Sequence, residues 1–175
     1  SVQLSRICEP CGPGTYSVKT STVWTCKACQ AGKYNMMSGS SSESDCLACP
    51  KGTYAPALGS IECLACPAGT YCPDFGTVTY AECEEGHYSD KTGQTACSPC
   101  PAGRYQMSTG QPVCSSCGMG NYSTAVAAES ASVCQYCPPG KYGGSMGLVE
   151  CSDCVQGQFQ DGLGQTQCKD CSQAE

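Results

Sequence analysis

Apolar residues are sparse along this chain and follow no sustained helical period, so the pattern predicts no long amphipathic helix. Residues 125–131 are compatible with one helical turn, and short segments such as residues 77–80 predict brief β-strands. Leu, Ile, Val and Phe together number 19 of 175 residues. That share lies well below the roughly 20% at which chains stop building a conventional hydrophobic core. Something other than apolar burial must therefore hold the chain together.

Cysteine is abundant enough to take this role. The chain contains 20 cysteines, and a share above about 8–10% marks a disulfide scaffold. Disulfides persist in oxidising compartments, so we expect an extracellular protein, either secreted or at a cell surface. The sequon Asn121-Tyr122-Ser123 fits this location and makes Asn121 a candidate glycosylation site.

The cysteines follow one repeat, defined by the second cysteine of each C-x-x-C pair and by the single Cys83. Successive register cysteines are 17, 18 or 20 residues apart. We therefore predict one continuous array of about nine to ten repeats across residues 1–175, with an irregular unit at 66–97. Each repeat is named below by its register cysteine: Cys11, Cys29, Cys49, Cys66, Cys83, Cys100, Cys117, Cys137, Cys154 and Cys171.

Three further positions recur in register within each repeat. A glycine, here called the turn glycine, stands three residues after the register cysteine, and a Tyr or Phe follows two residues later, in all nine repeats from Cys11 to Cys154. A second glycine, at what we call the loop position, stands ten residues after the cysteine in seven of them. The turn glycine predicts a turn with positive φ. The aromatic ring is predicted to cover a disulfide, and the second glycine is predicted to mark a chain reversal. The fold class predicted is thus small disulfide-rich repeats, an elongated rod of short β-hairpins without a conventional core.

The repeat suggests a pairing rule, although sequence alone does not fix connectivity. Each register cysteine bonds forward to the first cysteine of the next C-x-x-C pair. The rule gives Cys11–Cys26, Cys29–Cys46, Cys49–Cys63, Cys83–Cys97, Cys100–Cys114, Cys117–Cys134, Cys137–Cys151 and Cys154–Cys168.

Four cysteines need separate treatment. The forward partner of Cys66 should fall at position 80, where the sequence has Tyr80, while Cys72 is an additional cysteine in the same repeat. We infer a relocated Cys66–Cys72 bridge, and the alternative is Cys66–Cys83 with Cys72–Cys97. Cys8 and Cys171 lack partners under the rule, so they are candidates for inter-chain or flanking disulfides.

The motif C-x-x-C-P-x-G-x-Y, as in Cys46 to Tyr54 and Cys97 to Tyr105, resembles the ephrin-receptor-like cysteine-rich repeat. Tumour necrosis factor receptor modules are similar more distantly, and their forward-closing loop agrees with the pairing rule. Tyr80 in place of a cysteine, and Ala174 where a turn glycine would follow Cys171, depart from the pattern. The resemblance implies an extracellular multi-repeat protein, and no binding residue carries over from it.

Several chemistries are disfavoured by the residues present. Regular C-x-x-C pairs also occur in zinc ribbons, but the glycine-aromatic frame and the sequon favour disulfides. Redox catalysis needs a thioredoxin-like βαβ pattern that is missing here. The single histidine, His87, occupies a variable position of the repeat, and the acidic run 82–85 lacks the oxygen spacing of a calcium loop. We expect no enzyme, no metal and no cofactor.

Charge and hydropathy restrict the partners. The net charge is −6, which disfavours nucleic acid and anionic membrane surfaces. No apolar run approaches the roughly 18 residues of a membrane span. The expected partners are copies of this chain or other extracellular proteins, with glycans possible.

Uniform repeats favour a structural function: a rod, spacer or filament of a cell surface, matrix or appendage. The alternative is a ligand-binding or adhesive ectodomain of a receptor-like surface protein. In that case Phe75 and Tyr80, which lie in the irregular unit, would form the surface patch that contacts the ligand.

Overall fold

A computed structural model describes residues 9–21 and 23–173, and over this range the chain forms short β-hairpins. Successive strands pair into nine two-stranded sheets. The strands are β1 (Thr15–Thr20), β2 (Val23–Ala28), β3 (Lys33–Tyr34), β4 (Leu47–Ala48), β5 (Thr53–Tyr54), β6 (Leu64–Ala65), β7 (Thr70–Tyr71), β8 (Ala81–Glu82), β9 (His87–Tyr88), β10 (Ser98–Pro99), β11 (Arg104–Tyr105), β12 (Ser115–Ser116), β13 (Asn121–Tyr122), β14 (Gln135–Tyr136), β15 (Lys141–Tyr142), β16 (Ser152–Asp153), β17 (Gln158–Phe159) and β18 (Lys169–Asp170).

Each hairpin begins at a turn glycine, and eight of the nine end in a C-x-x-C pair, the exception being β7–β8 with Tyr80 in place of the first cysteine. In the Cys49 repeat, the Thr53 N–H donates to the Pro50 carbonyl at 3.1 Å across a turn in which Gly52 has φ +81°. A glycine at the third position of such a four-residue turn is the requirement of a type II turn. Strand β5 then pairs antiparallel with β6, which consists of the two residues between Cys63 and Cys66. The two cysteines of the pair therefore flank a strand.

The two 20-residue repeats accommodate their extra residues in 3₁₀ turns. Glu43–Asp45 lies in the Cys29 repeat and Ala131–Val133 in the Cys117 repeat, and a third 3₁₀ turn spans Cys171–Gln173. Ser42 caps the first of these turns, because its hydroxyl accepts from the Ser44 N–H at 3.2 Å while the Asp45 carboxylate accepts from the Ser42 N–H at 3.1 Å. Local side-chain bonds thus stabilise the insertion.

Two local predictions were wrong. Residues 77–80 are not a strand, because the strands of that repeat are β7 and β8 on either side of the loop. The helical turn predicted at 125–131 is instead the 3₁₀ turn at Ala131–Val133. Both errors placed structure inside the loop, whereas hydrogen bonding with a neighbouring repeat decides the loop's conformation.

Cysteine dominates the interior. Seven register cysteines, from Cys29 to Cys137, are completely buried, and the other buried hydrophobic residues besides cysteine are Tyr16, Ala55 and Ala128. Tyr16 packs on Cys29 and Cys46, which are bonded to one another in the next repeat. The fold class is confirmed as small disulfide-rich repeats of short β-hairpins, without a conventional hydrophobic core.

The chain divides into two compact units. The first comprises the described residues up to Pro67 together with Tyr71–Ala81 and Thr92–Thr95, and it contains hairpins β1–β2, β3–β4 and β5–β6. The second comprises Ala68–Thr70, Glu82–Lys91 and the described residues from Ala96 onward, and it contains the five hairpins from β9–β10 to β17–β18.

Candidate functional site

Three backbone hydrogen bonds join each repeat to the next. For the Cys49 repeat, the Gly52 N–H donates to the Cys72 carbonyl at 2.9 Å and the Ala55 N–H donates to the Thr77 carbonyl at 3.0 Å. In return, the Gly76 N–H donates to the Cys49 carbonyl at 2.8 Å. Equivalent bonds, here called ladder bonds, recur at eight successive pairs of repeats, and each lies within one of the two units. The backbone groups of the loops are therefore paired without a large sheet.

Next-but-one repeats also meet, through their glycines. A Cβ added at Gly52 would fall on the carbonyl of Gly93, at the loop position two repeats further on. The contact requires glycine for space as well as for its φ of +81°. Seven such contacts occur: Gly14 with Gly59, Gly32 with Gly76, Gly52 with Gly93, Gly69 with Gly110, Gly86 with Ala127, Gly103 with Gly147, and Gly120 with Gly164.

The loop position is left-handed whether or not it is glycine. The two repeats that lack a second glycine carry Ser21 and Ala127 there, with φ of +53° and +52°. These are the non-glycine residues with positive φ in the part of the chain that the structure describes. Non-glycine residues rarely adopt this conformation. The Ala127 N–H donates a ladder bond to the Cys100 carbonyl at 2.8 Å, so the ladder holds Ala127 there, whereas Ser21 lies in the turn between β1 and β2.

The residue after the aromatic, called here the inner position, is buried in eight of the nine repeats and half-buried at Ser17, a feature that sequence reasoning missed. Gln106 is an example, because its amide donates to the Val113 carbonyl at 2.7 Å and accepts from the Ser108 N–H at 3.1 Å. The side chain thereby fixes the loop that follows it. Inner positions exposed by less than a tenth are Asn35, Ala55, Cys72, Ser89, Gln106, Ser123, Gly143 and Gln160.

The disulfides connect register cysteines to cysteines further along the chain. The structure contains all eight pairs of the forward rule, and Cys66 is bonded to Cys72. The two members of a C-x-x-C pair are thus bonded to different partners. Cys171 is exposed and has no disulfide partner among the residues described, and Cys8 lies outside those residues.

A protein-family comparison agrees with this arrangement. The family described as tyrosine-protein kinase ephrin type A/B receptor-like matches residues 43–83 and 86–134, which together are 90 of 175 residues. The chain belongs to the ephrin-receptor-like family. No curated protein sequence matches it. Disulfide-stapled repeats of this family are modules of receptor-like ectodomains, and the chain is accordingly an extracellular domain.

Two side chains of the irregular ephrin-receptor-like repeat were predicted to form a contact patch. The ring of Tyr80 packs edge-on against that of Tyr54, with centroids 5.3 Å apart. Phe75 is 67% exposed, and the Lys51 ammonium lies 5.8 Å from its ring centroid. Tyr80 therefore contributes to packing within the repeats, while Phe75 is largely open to solvent.

The candidate glycosylation site lies on a strand. Asn121 is half-buried on β13, and its amide donates to the Met119 carbonyl at 3.2 Å. Ser123, the third residue of the sequon, is 2% exposed and accepts from the Ala125 N–H at 3.2 Å. Glycosylation of Asn121 remains a prediction.

The remaining polar residues of these ephrin-receptor-like repeats form local contacts. His87 Nδ1 lies 3.2 Å from the Glu85 carbonyl oxygen, and the Glu82 carboxylate accepts from the Thr109 hydroxyl at 3.0 Å. Within residues 9–21 and 23–173, no cluster of three His, Cys, Asp or Glu side chains has the arrangement of a metal site. The described residues also include no helix long and apolar enough to cross a membrane.

Two exposed ion pairs perturb the groups that form them. The hydrogen bond from Lys141 to Asp153, at 2.8 Å, raises the pKa of the lysine above its ordinary value. The hydrogen bond from Lys169, at 3.2 Å, lowers the pKa of the Asp161 carboxyl. Both pairs lie on the surface, where salt bridges contribute little to stability.

Proposed function

We propose that this chain is a structural spacer of an extracellular surface, matrix or filament. The observation that carries the proposal is the recurrence of the ladder bonds at every one of eight repeat pairs, including those that involve the relocated disulfide. A series joined in the same way at each step holds a fixed distance between whatever lies at its two ends.

The energetics of one repeat support this role. A disulfide closing a loop of about 15 residues stabilises by about 3 kcal/mol. Ordering a repeat of about 17 residues costs roughly 25 kcal/mol at about 1.5 kcal/mol per residue. No repeat is stable alone, so ladder bonds and glycine contacts with its neighbours must supply the difference. Such mutual dependence makes a repeat series fold cooperatively.

The length of the particle tests the proposal. Deleting residues 100–116 joins Pro99 to Cys117 and preserves the other repeats with their cysteine pairs, and duplicating the same residues gives the opposite change. We expect small-angle X-ray scattering to show a maximum dimension that falls and rises by the same increment. A maximum dimension that responds to neither change would count against a spacer.

The partners proposed for this role are copies of the chain or other extracellular proteins. The exposed thiol of Cys171 favours a covalent version of this assembly. Thiol-blocked mass analysis without reductant, followed by peptide mapping, would then recover Cys171 in an inter-chain peptide. Recovery of Cys171 as the blocked free thiol would exclude covalent assembly through Cys171.

The second candidate is a ligand-binding or adhesive ectodomain, and the exposure of Phe75 favours it. Phe75→Ala should then reduce affinity for an extracellular partner while the disulfides stay intact. Unchanged affinity for that partner would remove this patch as a binding surface.

A further inference from the structure

The first hairpin departs from the other hairpins of the array. Strands β1 and β2 are six residues long, whereas the sixteen strands after them contain two residues each. They pair from Thr15 with Ala28 to Thr20 with Val23, so the loop of the Cys11 repeat is itself a β-hairpin. This hairpin carries Trp24, the single tryptophan of the chain, which is 62% exposed.

A cleft opens beside this tryptophan, entirely within the first unit. Its volume is about 540 Å³, in the range of about 300–1,000 Å³ that small-molecule sites occupy. Ser17 and Trp24 line it from the hairpin, Glu9 from the preceding segment, and Gly39 and Ser40 from the loop of the next repeat. The Cys11–Cys26 disulfide also contributes to the lining, so a covalent bond joins β2 to the segment that precedes β1 at the cleft.

One aromatic surface and several polar groups therefore meet in one cleft. The Lys19 ammonium, on the residue that pairs with Trp24 across the strands, lies 6.0 Å from the indole centroid. The Ser17 hydroxyl and the Glu9 carboxylate make no side-chain hydrogen bond to any described residue, so both are free to bind a ligand. The Ser40 hydroxyl accepts from the buried Asn35 amide at 2.8 Å, which fixes its position and leaves its own proton to donate.

We propose that this cleft binds a saccharide, with a sugar ring stacked on the indole of Trp24 and its hydroxyls bonded to Ser17, Ser40 and Glu9. The apolar C–H face of a pyranose matches an exposed aromatic surface, and its hydroxyls both donate and accept, as the Ser and Glu oxygens require. This activity goes beyond the proposed spacer role, because it would attach the spacer to a glycan.

Other ligand classes match the cleft less well. A lipid or other apolar ligand needs apolar walls, whereas Ser17, Ser40 and Glu9 would be left unpaired against it. A cationic ligand would meet the Lys19 ammonium at the indole face, and an anionic ligand would meet the Glu9 carboxylate. A neutral polar ring avoids all three costs.

The single tryptophan makes the test specific, because the intrinsic emission of the chain at tryptophan wavelengths comes from this cleft alone. The oxidised chain is titrated with millimolar chitotriose, cellotriose, maltotriose, mannotriose and lactose, and N-acetyltryptophanamide serves as the control for bulk quenching. We expect a saturable shift in emission with at least one sugar. An emission unchanged by the whole panel would overturn the proposal.

Calorimetry on matched variants then locates the binding. Trp24→Ala should abolish the heat of binding, and Glu9→Gln should weaken affinity several-fold, while Tyr136→Ala, which truncates an exposed aromatic outside the cleft, should leave affinity unchanged. Both aromatics are more than half exposed, so neither truncation removes core packing, and mass analysis of the nine disulfides verifies the fold. Equal affinity in Trp24→Ala and the parent chain would place binding elsewhere and refute the assignment.

Discussion

The Cys49 and Cys66 repeats differ in their disulfides but not in their backbone bonding. Cys49 is bonded to Cys63, fourteen residues away, whereas Cys66 is bonded to Cys72, six residues away. Their turn glycines nevertheless have φ of +81° and +84°. The Gly69 N–H donates to the Ser89 carbonyl at 2.8 Å, just as the Gly52 N–H donates to the Cys72 carbonyl at 2.9 Å. The ladder bonds, and not the position of the disulfide, are therefore what the two repeats share.

The relocated disulfide fits because it uses a position that is buried in any case. Cys72 occupies the inner position, which Ala55 fills in the Cys49 repeat. The vacated cysteine position holds Tyr80, whose ring packs on Tyr54 instead of closing a covalent loop. In this repeat the inner residue is itself the disulfide partner, and an aromatic contact lies where the partner cysteine stands in the other repeats.

Turn glycines should be the most sensitive positions if the ladder defines the repeat. Gly69→Ala should prevent secretion of folded chain for two reasons. The new Cβ falls on the Gly110 carbonyl, and the alanine would have to adopt a φ of +84°. Gly157→Ala is the matched control, since it has a φ of +88° but no atom within 4 Å of its Cβ. It should cost only the left-handed strain of about 1–2 kcal/mol. The yield of folded chain in the medium measures the difference, and equal yields of the two variants would mean that the glycine contact contributes nothing.

Removing disulfides compares the two repeats directly. Replacing Cys49 and Cys63 by Ala should cost about 3 kcal/mol, and replacing Cys66 and Cys72 about 2.3 kcal/mol, because the second loop is shorter and constrains the unfolded chain less. Guanidinium unfolding of the two double variants checks the order. A larger loss from the shorter loop would show that the Cys66–Cys72 bond does more than restrict the unfolded chain.

The sequence was most informative where one residue type is the only one that works. Turn glycines were predictable because a positive φ and a Cβ-free approach both require glycine, as at Gly52. Disulfide partners followed from constant spacing, since a regular repeat brings the same two positions together each time. The family resemblance rested on the same frame, and the match over residues 43–83 and 86–134 confirms it.

Contacts between repeats were not predictable from the same pattern. The left-handed φ of Ala127 accompanies a bond to the neighbouring Cys100 repeat, for which its side chain carries no signal. Trp24 was overlooked because the Cys11 repeat keeps the cysteine and glycine frame, and only the register of β1 with β2 reveals the longer hairpin. Polar residues such as Gln106 resemble surface residues in sequence, although their amides are buried against loop carbonyls.

Tyr80 tests how far an aromatic contact substitutes for a disulfide. Tyr80→Ala should lower the free energy of unfolding by more than the about 0.5–1.5 kcal/mol that an edge-on aromatic pair contributes beyond its area, because the buried area of the ring is lost as well. Tyr80→Phe keeps the ring and should lose much less. Denaturant unfolding distinguishes the two, and a double-mutant cycle with Tyr54→Ala isolates the pair. A coupling energy near zero would mean that the two rings are neighbours without mutual stabilisation.

The smallest change separates backbone conformation from residue identity. Ala127→Gly should stabilise the chain, because it relieves about 1–2 kcal/mol of left-handed strain. This gain exceeds the loss of about 0.4–1 kcal/mol that the greater entropy of the unfolded glycine chain causes. Ala125→Gly is the control, since Ala125 has no positive φ and should lose only the entropic amount. A rise in Tm for the first variant and a fall for the second would show that the ladder imposes the loop conformation on any residue placed there. If both variants fell equally, Ala127 would not be under strain, and the loop of the Cys117 repeat would reach its conformation by local preference.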